Sequence, residues 1–354
     1  MTNNERLTYV DTAKFMAIWL VIISHSSMNS DVARFLFAFH VPLFFFLYGF
    51  VYRKKEDQVS VVSYLKKRVP ALFGRILVPY LLLAFILGEG LGVRTLSFVA
   101  WGSLQSLNGV SSTHLWFLPC YFTAVLIFGL LFDSIPKAKW PKVVRGGVIA
   151  LLSIISAFLN SDNAVGLSIG NYVLHFTGLG ENSANEFYLG FPFALNVSFT
   201  GVALIYVGYL IRLLFDRIED KNWLMVLIAI LSAIAGIILF YSNAGNERLI
   251  AMSYAQYGNY VLFFGAAVLL SIVVLIMAKF IDNKVFSKYG QYTLAIYGFH
   301  LTLTIVGSKL MKILHVTNPN ISAIVIGTIT LVLSCALIPI IRYIDPYILG
   351  ERKL

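Results

Sequence analysis

The sequence has few charged residues and almost no cysteine. Only 12% of its 354 residues are Asp, Glu, Lys or Arg, whereas 58% are hydrophobic. A soluble domain carries roughly 25% charged residues, so this chain lacks the polar surface that a water-soluble protein needs. Its two cysteines are too few for a disulfide-rich scaffold or a Cys-rich zinc site. These scarcities exclude a soluble enzyme and a small secreted domain, and they favour an integral membrane protein.

Long apolar runs occupy most of the chain. A membrane-spanning helix needs about 20 predominantly apolar residues. Ten such runs occur, near residues 7–27, 33–52, 70–88, 115–133, 143–160, 188–211, 222–241, 258–279, 291–311 and 320–342. We therefore predict an all-α fold, a polytopic bundle of about ten transmembrane helices. No loop between the runs is long enough to bury a core, so we expect one membrane domain over residues 1–354 and no soluble domain.

Positive charge is distributed unevenly between alternate loops. With the N-terminus placed in the cytoplasm, twenty of the 27 Lys and Arg residues fall on the cytoplasmic side and five outside, while Lys14 and Arg75 lie within apolar runs. Cytoplasmic loops of membrane proteins are enriched in Lys and Arg. We therefore predict that both termini are cytoplasmic in a multi-pass protein of the plasma membrane. The net charge of +10 then reflects topology, and no nucleic-acid partner is expected.

The first apolar run carries three ionisable residues that are expensive to place in a membrane. Lys14 and His25 are eleven positions apart, which places them within about 20° of one helix face and about 16 Å apart in depth. Asp11 lies three residues before Lys14, so the two side chains can pair on the same face. One helix stripe thus carries a cation near the cytoplasmic side and an imidazole in the outer half.

The second run places another histidine at a matching depth. It runs in the opposite direction, so His40 near its outer end is expected to lie level with His25. Two imidazoles at one level can form a proton-handling pair, with Ser24 and Ser26 available to orient them. Arg75, in the third run, approaches from the cytoplasmic side as Lys14 does. We regard both cations as candidates for holding an anionic cofactor, since Arg and Lys recognise phosphate.

Further polar residues lie near the ends or the middle of later runs. His114 is at the outer mouth of the fourth run. His300 is near the middle of the ninth, with Tyr297 three residues earlier on the same side. His114 and His300 are candidates for lining a central cavity. The sequence contains neither an HExxH motif nor a Gly-rich nucleotide loop, and no metal is expected.

Together these residues resemble the membrane acyltransferase family 3, specifically its stand-alone sugar O-acetyltransferases. The resemblance covers nearly the whole chain. It rests on the basic-x10-His pattern from Lys14 to His25 and on the run FHVPLFFFLYGF, with support from GRILVPY, HLWFLP and TLAIYGFH. Two positions depart from the family pattern: Tyr48 replaces a usual Ser before Gly49, and Ser24 replaces a frequent Gly before His25. These departures bear on the identity of the acceptor more than on the reaction.

The resemblance implies a reaction and a set of roles. Acetyl-CoA, as the acyl donor, would enter from the cytoplasm, with its phosphates held by Lys14 and Arg75 and with Asp11 beside Lys14. His25 would be the general base or a transient acyl carrier, and His40 would tune His25 or help to bind the acceptor. The candidates for contacting the acceptor are Tyr48, His114, Tyr297 and His300.

The expected acceptor is a sugar hydroxyl on a lipid-linked glycan or a growing cell-surface polysaccharide. The lipid bilayer surrounds the protein, and polysaccharide-assembly proteins or a second copy of the chain are open as further partners. A transporter of a small polar solute or of polysaccharide is the alternative function, because buried His and Lys also suit proton-coupled transport. A membrane scaffold in a polysaccharide-assembly complex is the third interpretation.

Overall fold

A computed structural model of the chain describes residues 6–26, 30–53, 60–87, 113–134, 142–160, 164–165, 168–169, 172, 191–244 and 249–344. Most of these residues are helical, and within them the sole β-type pairing is an isolated antiparallel bridge between Ala251 and Gln256. The predicted all-α fold is therefore confirmed. In each of the ten predicted apolar runs, the residues that the structure describes lie largely in a helix or in consecutive helical segments.

The helices of the described chain are numbered in sequence order. They are α1 (Thr8–Ser26), α2 (Asp31–Phe37), α3 (His40–Val51), α4 (Val61–Leu72), α5 (Val78–Leu87), α6 (Phe117–Gly129), α7 (Lys142–Phe158), α8 (Leu195–Phe215), α9 (Asn222–Ala244), α10 (Tyr260–Ile281), α11 (Lys284–Tyr289), α12 (Thr293–Ile313) and α13 (Pro319–Ile344). Turns of π-helix occur at Phe73–Leu77, which joins α4 to α5, and at Leu130–Ser134, which ends α6.

Seven segments of the described chain are long and apolar enough to cross a membrane. They are Asp31–Val51, His114–Ser134, Pro192–Phe215, Asn222–Asn243, Tyr260–Ile281, Lys284–Ile313 and Pro319–Ile344. Helix α1 is outside this set, and it carries Asp11, Lys14 and His25. The apolar part of α7, Val143–Phe158, is shorter than a typical span. A multi-pass membrane protein is thus supported, while the count of ten spans and the orientation of the termini stay predictions.

The helices are grouped into two compact units. The first contains the described residues of Met1–Val51, Gly208–Ile250 and Val261–Ile340, and the second those of Tyr52–Val207, Ala251–Tyr260 and Ile341–Leu354. In the first unit, α1 packs against α2, α3, α11 and α12. Helix α3 is antiparallel to α1, because the Tyr9 ring at the start of α1 lies 6.3 Å from that of Phe50 near the end of α3.

A buried hydroxyl network ties α7, α8 and the start of α10 together in the second unit. The Ser156 hydroxyl lies 2.8 Å from that of Thr200, and the Tyr260 hydroxyl lies 3.0 Å from Thr200 and 2.8 Å from Ser153. Thr200 also donates to the Tyr257 hydroxyl at 3.4 Å. Burial raises the pKa of Tyr257, so this phenol stays protonated and contributes to packing and hydrogen bonding rather than to ionic chemistry.

Contacts from distant parts of the chain fix the N-terminal half of α1 in the first unit. The hydroxyls of Thr8 and Thr12 donate to the two carboxylate oxygens of Asp282, in the turn between α10 and α11. The Phe15 ring stacks on that of Phe286 in α11, with ring centroids 5.0 Å apart. These contacts restrain the depth and the rotation of the helix that carries Lys14 and His25.

Two glycines allow other segments to approach the backbone of α1. A Cβ atom added at Gly290, in the 3-10 turn between α11 and α12, would overlap the carbonyl oxygen of Asp11. A Cβ atom at Gly327 in α13 would lie 2.9 Å from the Cα of Ile23. Small residues at such crossings let membrane helices pack closely.

We predict that Gly290→Ala destabilises the protein, because its methyl group meets backbone atoms that cannot rotate away. Overpacking of this kind costs about 1–3 kcal/mol. Gly147→Ala is the matched control, since a Cβ at Gly147 in α7 has no atom within 4 Å and alanine favours a helix over glycine by about 1 kcal/mol. Thermal unfolding in detergent should show a lower midpoint for Gly290→Ala alone. Equal midpoints for the two variants would contradict the close approach.

Candidate functional site

Helix α1 carries both the cation and the imidazole of the predicted site. It runs as regular α-helix from Thr8 to Ser26, so Lys14 and His25 keep the predicted relation, close to one face and about 16 Å apart along the axis. The Lys14 side chain is 31% exposed. The geometry of one helix therefore sets the spacing between its two ends. We call the end with Asp11 and Lys14 the charged end, and the end with His25 the imidazole end.

An acid buried between two cations lies at the charged end. The Lys14 ammonium is 3.1 Å from one oxygen of Asp11, whose side chain is 4% exposed. The Arg6 guanidinium donates through Nε to the other oxygen, and this hydrogen bond raises the pKa of Arg6. The predicted pairing of Asp11 with Lys14 is thus present. Arg6, which the sequence analysis counts only as one of the cytoplasmic basic residues, is the second partner of Asp11.

Three histidines meet at the other end of α1. The ring centroid of His25 lies 6.2 Å from that of His40 in α3 and 5.5 Å from that of His300 in α12. His40 is 1% exposed and His300 is fully buried. Phe37 of α2 meets His25 and His40 edge to face, at 5.2 and 5.1 Å. The structure thus places His40 beside His25, as their depths predict, and it adds His300 to the pair.

Backbone carbonyls determine the tautomer of two of these rings. The Nδ1 of His40 lies 2.7 Å from the carbonyl oxygen of Leu36, and the Nδ1 of His300 lies 2.6 Å from that of Tyr297. A carbonyl oxygen can only accept a hydrogen bond, so Nδ1 must carry the proton in both rings. When neutral, each ring therefore has its lone pair on Nε2.

The serines beside His25 do not orient the imidazoles as donors. The Ser24 hydroxyl donates to the carbonyl of Val21 at 2.7 Å, and the Ser26 hydroxyl donates to that of Ile22 at 2.6 Å. Their protons are used within α1, which is common for serine in a helix. The role of Ser24 and Ser26 in orienting the imidazoles stays a prediction.

The other candidate residues have different surroundings. The Tyr297 ring packs 5.7 Å from that of His300. Tyr48 lies eight residues after His40 in α3, about 12 Å further along the helix, so it does not join the three imidazoles. Arg75 is exposed in the π-helical turn Phe73–Leu77, and His114 is buried in the 3-10 turn Thr113–Trp116. Both belong to the second unit, and their link to the α1 residues stays a prediction.

Several residues around the site carry no recognisable signal in the sequence. Phe37, Asp282 and Gly290 act by packing or hydrogen bonding to α1, and nothing in their local sequence marks them. Arg6 lies five residues before Asp11, a spacing that is compatible with an ion pair just ahead of the helix. Within the described chain, no group of three or more His, Cys, Asp or Glu side chains is arranged to hold a metal ion.

We predict that the Asp11 ion pair contributes to stability far more than a similar pair at the surface. Asp11→Asn leaves two cations beside a neutral buried amide, and disrupting a buried pair of this kind costs about 2 kcal/mol or more. Asp31→Asn is the matched control. Asp31 pairs with Arg34 at the same three-residue spacing, but its side chain is 74% exposed, and exposed pairs contribute about 0–1 kcal/mol.

Thermal unfolding of both variants in the same detergent measures the difference. A clearly lower midpoint for Asp11→Asn than for Asp31→Asn is expected. If the two midpoints fall by the same amount, Asp11 is not the buried anchor of the charged end.

Comparison with known proteins supports the resemblance seen in the sequence. A family model described as an acyltransferase domain, that of acyltransferase family 3, matches residues 7–339. The match begins just before α1 and ends within α13. It includes every site residue predicted from the sequence, whereas Arg6 lies one residue before it. No curated protein matches the chain at a significant level. The chain belongs to the membrane acyltransferase family 3.

Proposed function

We propose that the protein is a membrane O-acyltransferase that moves an acetyl group from acetyl-CoA to a hydroxyl of a lipid-linked or cell-surface glycan. The observation that carries this proposal is the arrangement along α1. The ion pair of Asp11 and Lys14 lies at one end of this helix, and His25 lies at the other end, beside His40 and His300. Membership of the acyltransferase family supplies the reaction class. Ionisable residues inside a membrane are costly, so their presence favours a functional role.

The charged end is the proposed binding site for the phosphates of the donor. The Lys14 side chain is partly exposed although its ammonium is paired with Asp11, and Arg6 is exposed beside it. Arg75 is exposed in the second unit and is the proposed further phosphate contact. The separation of about 16 Å between Lys14 and His25 is comparable with the length of the pantetheine arm that joins the phosphates of CoA to its sulfur.

The imidazole end is the proposed site of acyl transfer. His25 takes the proton from the hydroxyl of the acceptor while the hydroxyl oxygen forms a bond to the thioester carbon. The carbon–sulfur bond then breaks, and the proton passes from His25 to the CoA thiolate. The products are the O-acetylated glycan and free CoA. His40 lies beside His25 and is proposed either to contact the acceptor or to tune His25. Further candidates for contacting the acceptor are Tyr48, His114, Tyr297 and His300.

The proposed topology has ten spans, both termini in the cytoplasm, and insertion in the plasma membrane. It adds three spans, namely α1, the apolar run 70–88 and α7, to the seven that length and hydropathy support. The charge distribution supports this orientation, because twenty of the 27 basic residues then lie inside. The N-terminal end of α1 would face the cytoplasm, where acetyl-CoA is made, and His25 would lie in the outer half of the membrane, where a glycan can arrive.

Acetyl-CoA binding to the purified protein tests the proposal. We expect saturable binding in calorimetry, weakened about tenfold or more in Lys14→Ala, because a charge-assisted hydrogen bond contributes roughly 1.5–3 kcal/mol. Arg75→Ala should weaken binding similarly. Lys312→Ala is the matched control, since it removes an exposed lysine from the last turn of α12, on the proposed outer side, and should leave binding unchanged.

Two outcomes would contradict the proposal. Wild-type protein that is folded but binds neither acetyl-CoA nor any other acyl-CoA is not a CoA-dependent acyltransferase, and the transporter would become the leading function. Equal weakening by Lys312→Ala and Lys14→Ala would show non-specific attraction between an anion and a basic protein instead of a donor site.

A further inference from the structure

We infer that Arg6 makes the charged end of α1 a site for an anion: it stays paired with Asp11 and thereby leaves the charge of Lys14 available to a phosphate of the donor. The inference deepens the proposed function and rests on it, since it concerns binding of the same acyl-CoA phosphates. Arg6 lies one residue before the part of the chain that matches the family model, so the match gives this residue no role.

The first support is the charge of the three joined side chains. Arg6 and Lys14 each form an ion pair with Asp11, and they use different oxygens of its carboxylate. Two positive charges thus surround one negative charge, and one positive charge is in excess. Asp11 and Lys14 by themselves would form a neutral pair, which attracts a phosphate far less than a net charge does. The excess charge of this end is therefore supplied by Arg6.

The second support is the exposure of the same side chains. The Asp11 side chain is 4% exposed, whereas those of Lys14 and Arg6 are 31% and 59% exposed. An anion in solution can therefore reach the two cations while the carboxylate is covered. The repulsion between Asp11 and a phosphate is reduced further because Arg6 remains bonded to the carboxylate.

The third support is the cost of separating Asp11 from its partners. A nearly buried carboxylate that loses its cation is strongly destabilised. With Lys14 as the one cation of this group, its movement to a phosphate would leave Asp11 uncompensated. Arg6 occupies the second carboxylate oxygen, so Asp11 keeps a charge-assisted hydrogen bond when Lys14 turns to the donor.

A second acid contacts the same half of α1 but faces elsewhere. The carboxylate of Asp282 accepts hydrogen bonds from the hydroxyls of Thr8 and Thr12. At about 100° per residue, these two threonines lie about 120–160° around the helix from Lys14. Asp282 therefore lies on a different side of α1 from Lys14, and the charge balance around Lys14 is set by Arg6 and Asp11.

Three variants separate this role from a direct contact between Arg6 and the donor. Arg6→Gln removes the excess positive charge, whereas Arg6→Lys keeps it. The double variant Arg6→Gln with Asp11→Asn removes one charge of each sign, so that Lys14 again supplies an excess positive charge. Arg34→Gln is the matched control, because Arg34 also pairs with an aspartate, Asp31, but lies on the proposed outer side.

Calorimetry with acetyl-CoA and the purified variants is the first measurement, with thermal unfolding as the check that each is folded. We expect Arg6→Gln to raise Kd about tenfold at low salt, because one unit charge is lost beside the phosphates. High salt should shrink this difference, since it screens exposed charges. Arg6→Lys and the double variant should bind within about threefold of wild type, and Arg34→Gln should match wild type.

Two outcomes of this measurement would overturn the inference. Equal binding by wild type and Arg6→Gln would show that the charge of Arg6 has no effect on the donor. A folded double variant that binds as weakly as Arg6→Gln would show that Arg6 contacts the donor itself instead of acting through Asp11.

Chemical labelling of Lys14 tests the shared carboxylate without acetyl-CoA and without the double variant. Cyanate reacts only with a neutral amine, and loss of a neighbouring positive charge makes an ammonium hold its proton more firmly. Lys14 should therefore be carbamylated more slowly in Arg6→Gln than in wild type, measured by peptide mass spectrometry against Lys312 in the same sample. Equal or faster labelling would overturn the inference. If folded wild-type protein binds no acyl-CoA, the proposed function fails, and the labelling rate still decides whether Arg6 and Lys14 share Asp11.

Discussion

The close backbone approach of α1 to its neighbours is the constraint on which the site depends. Gly290 touches the carbonyl of Asp11 near one end of the helix, and Gly327 lies against Ile23 near the other. Between them, α1 can neither slide nor rotate without a clash, because backbone atoms have no alternative rotamers. The depth of Lys14 and the depth of His25 are therefore fixed together. The proposed reaction, with the donor bound at Lys14 and the acyl group transferred at His25, depends on this fixed spacing.

The two ends of α1 have different electrostatic surroundings. At one end the nearly buried carboxylate of Asp11 forms ion pairs with Arg6 and Lys14, which offset the cost of burying it. At the other end the histidines interact with backbone carbonyls and aromatic rings. This separation suits a reaction in which charge is bound at one place and a proton is moved at another.

Local patterns in the sequence predict the features that depend on short separations. The apolar runs predict the helices, the three-residue spacing predicts the Asp11–Lys14 pair, and the hairpin of α1 with α3 predicts the meeting of His25 and His40. For His300 the sequence indicates only a place near the middle of its run, because its contact with His25 depends on how α12 packs on α1. The roles of Asp282 and Gly290 escape prediction for the same reason. The hydroxyls of Ser24 and Ser26 donate to carbonyls within α1, because a helix offers them nearby acceptors.

The most direct test of the account is a kinetic comparison of Lys14→Gln with His25→Gln, using radiolabelled acetyl-CoA and membranes from cells that produce the protein. The label recovered in the glycan fraction gives the rate. We predict that Lys14→Gln raises KM for acetyl-CoA with little change in kcat, whereas His25→Gln lowers kcat by a factor of roughly 10²–10⁴ with KM retained. The two ends of α1 would then bind and react separately. If both substitutions change the same parameter, or if His25→Gln keeps full activity, the division of roles along α1 is wrong.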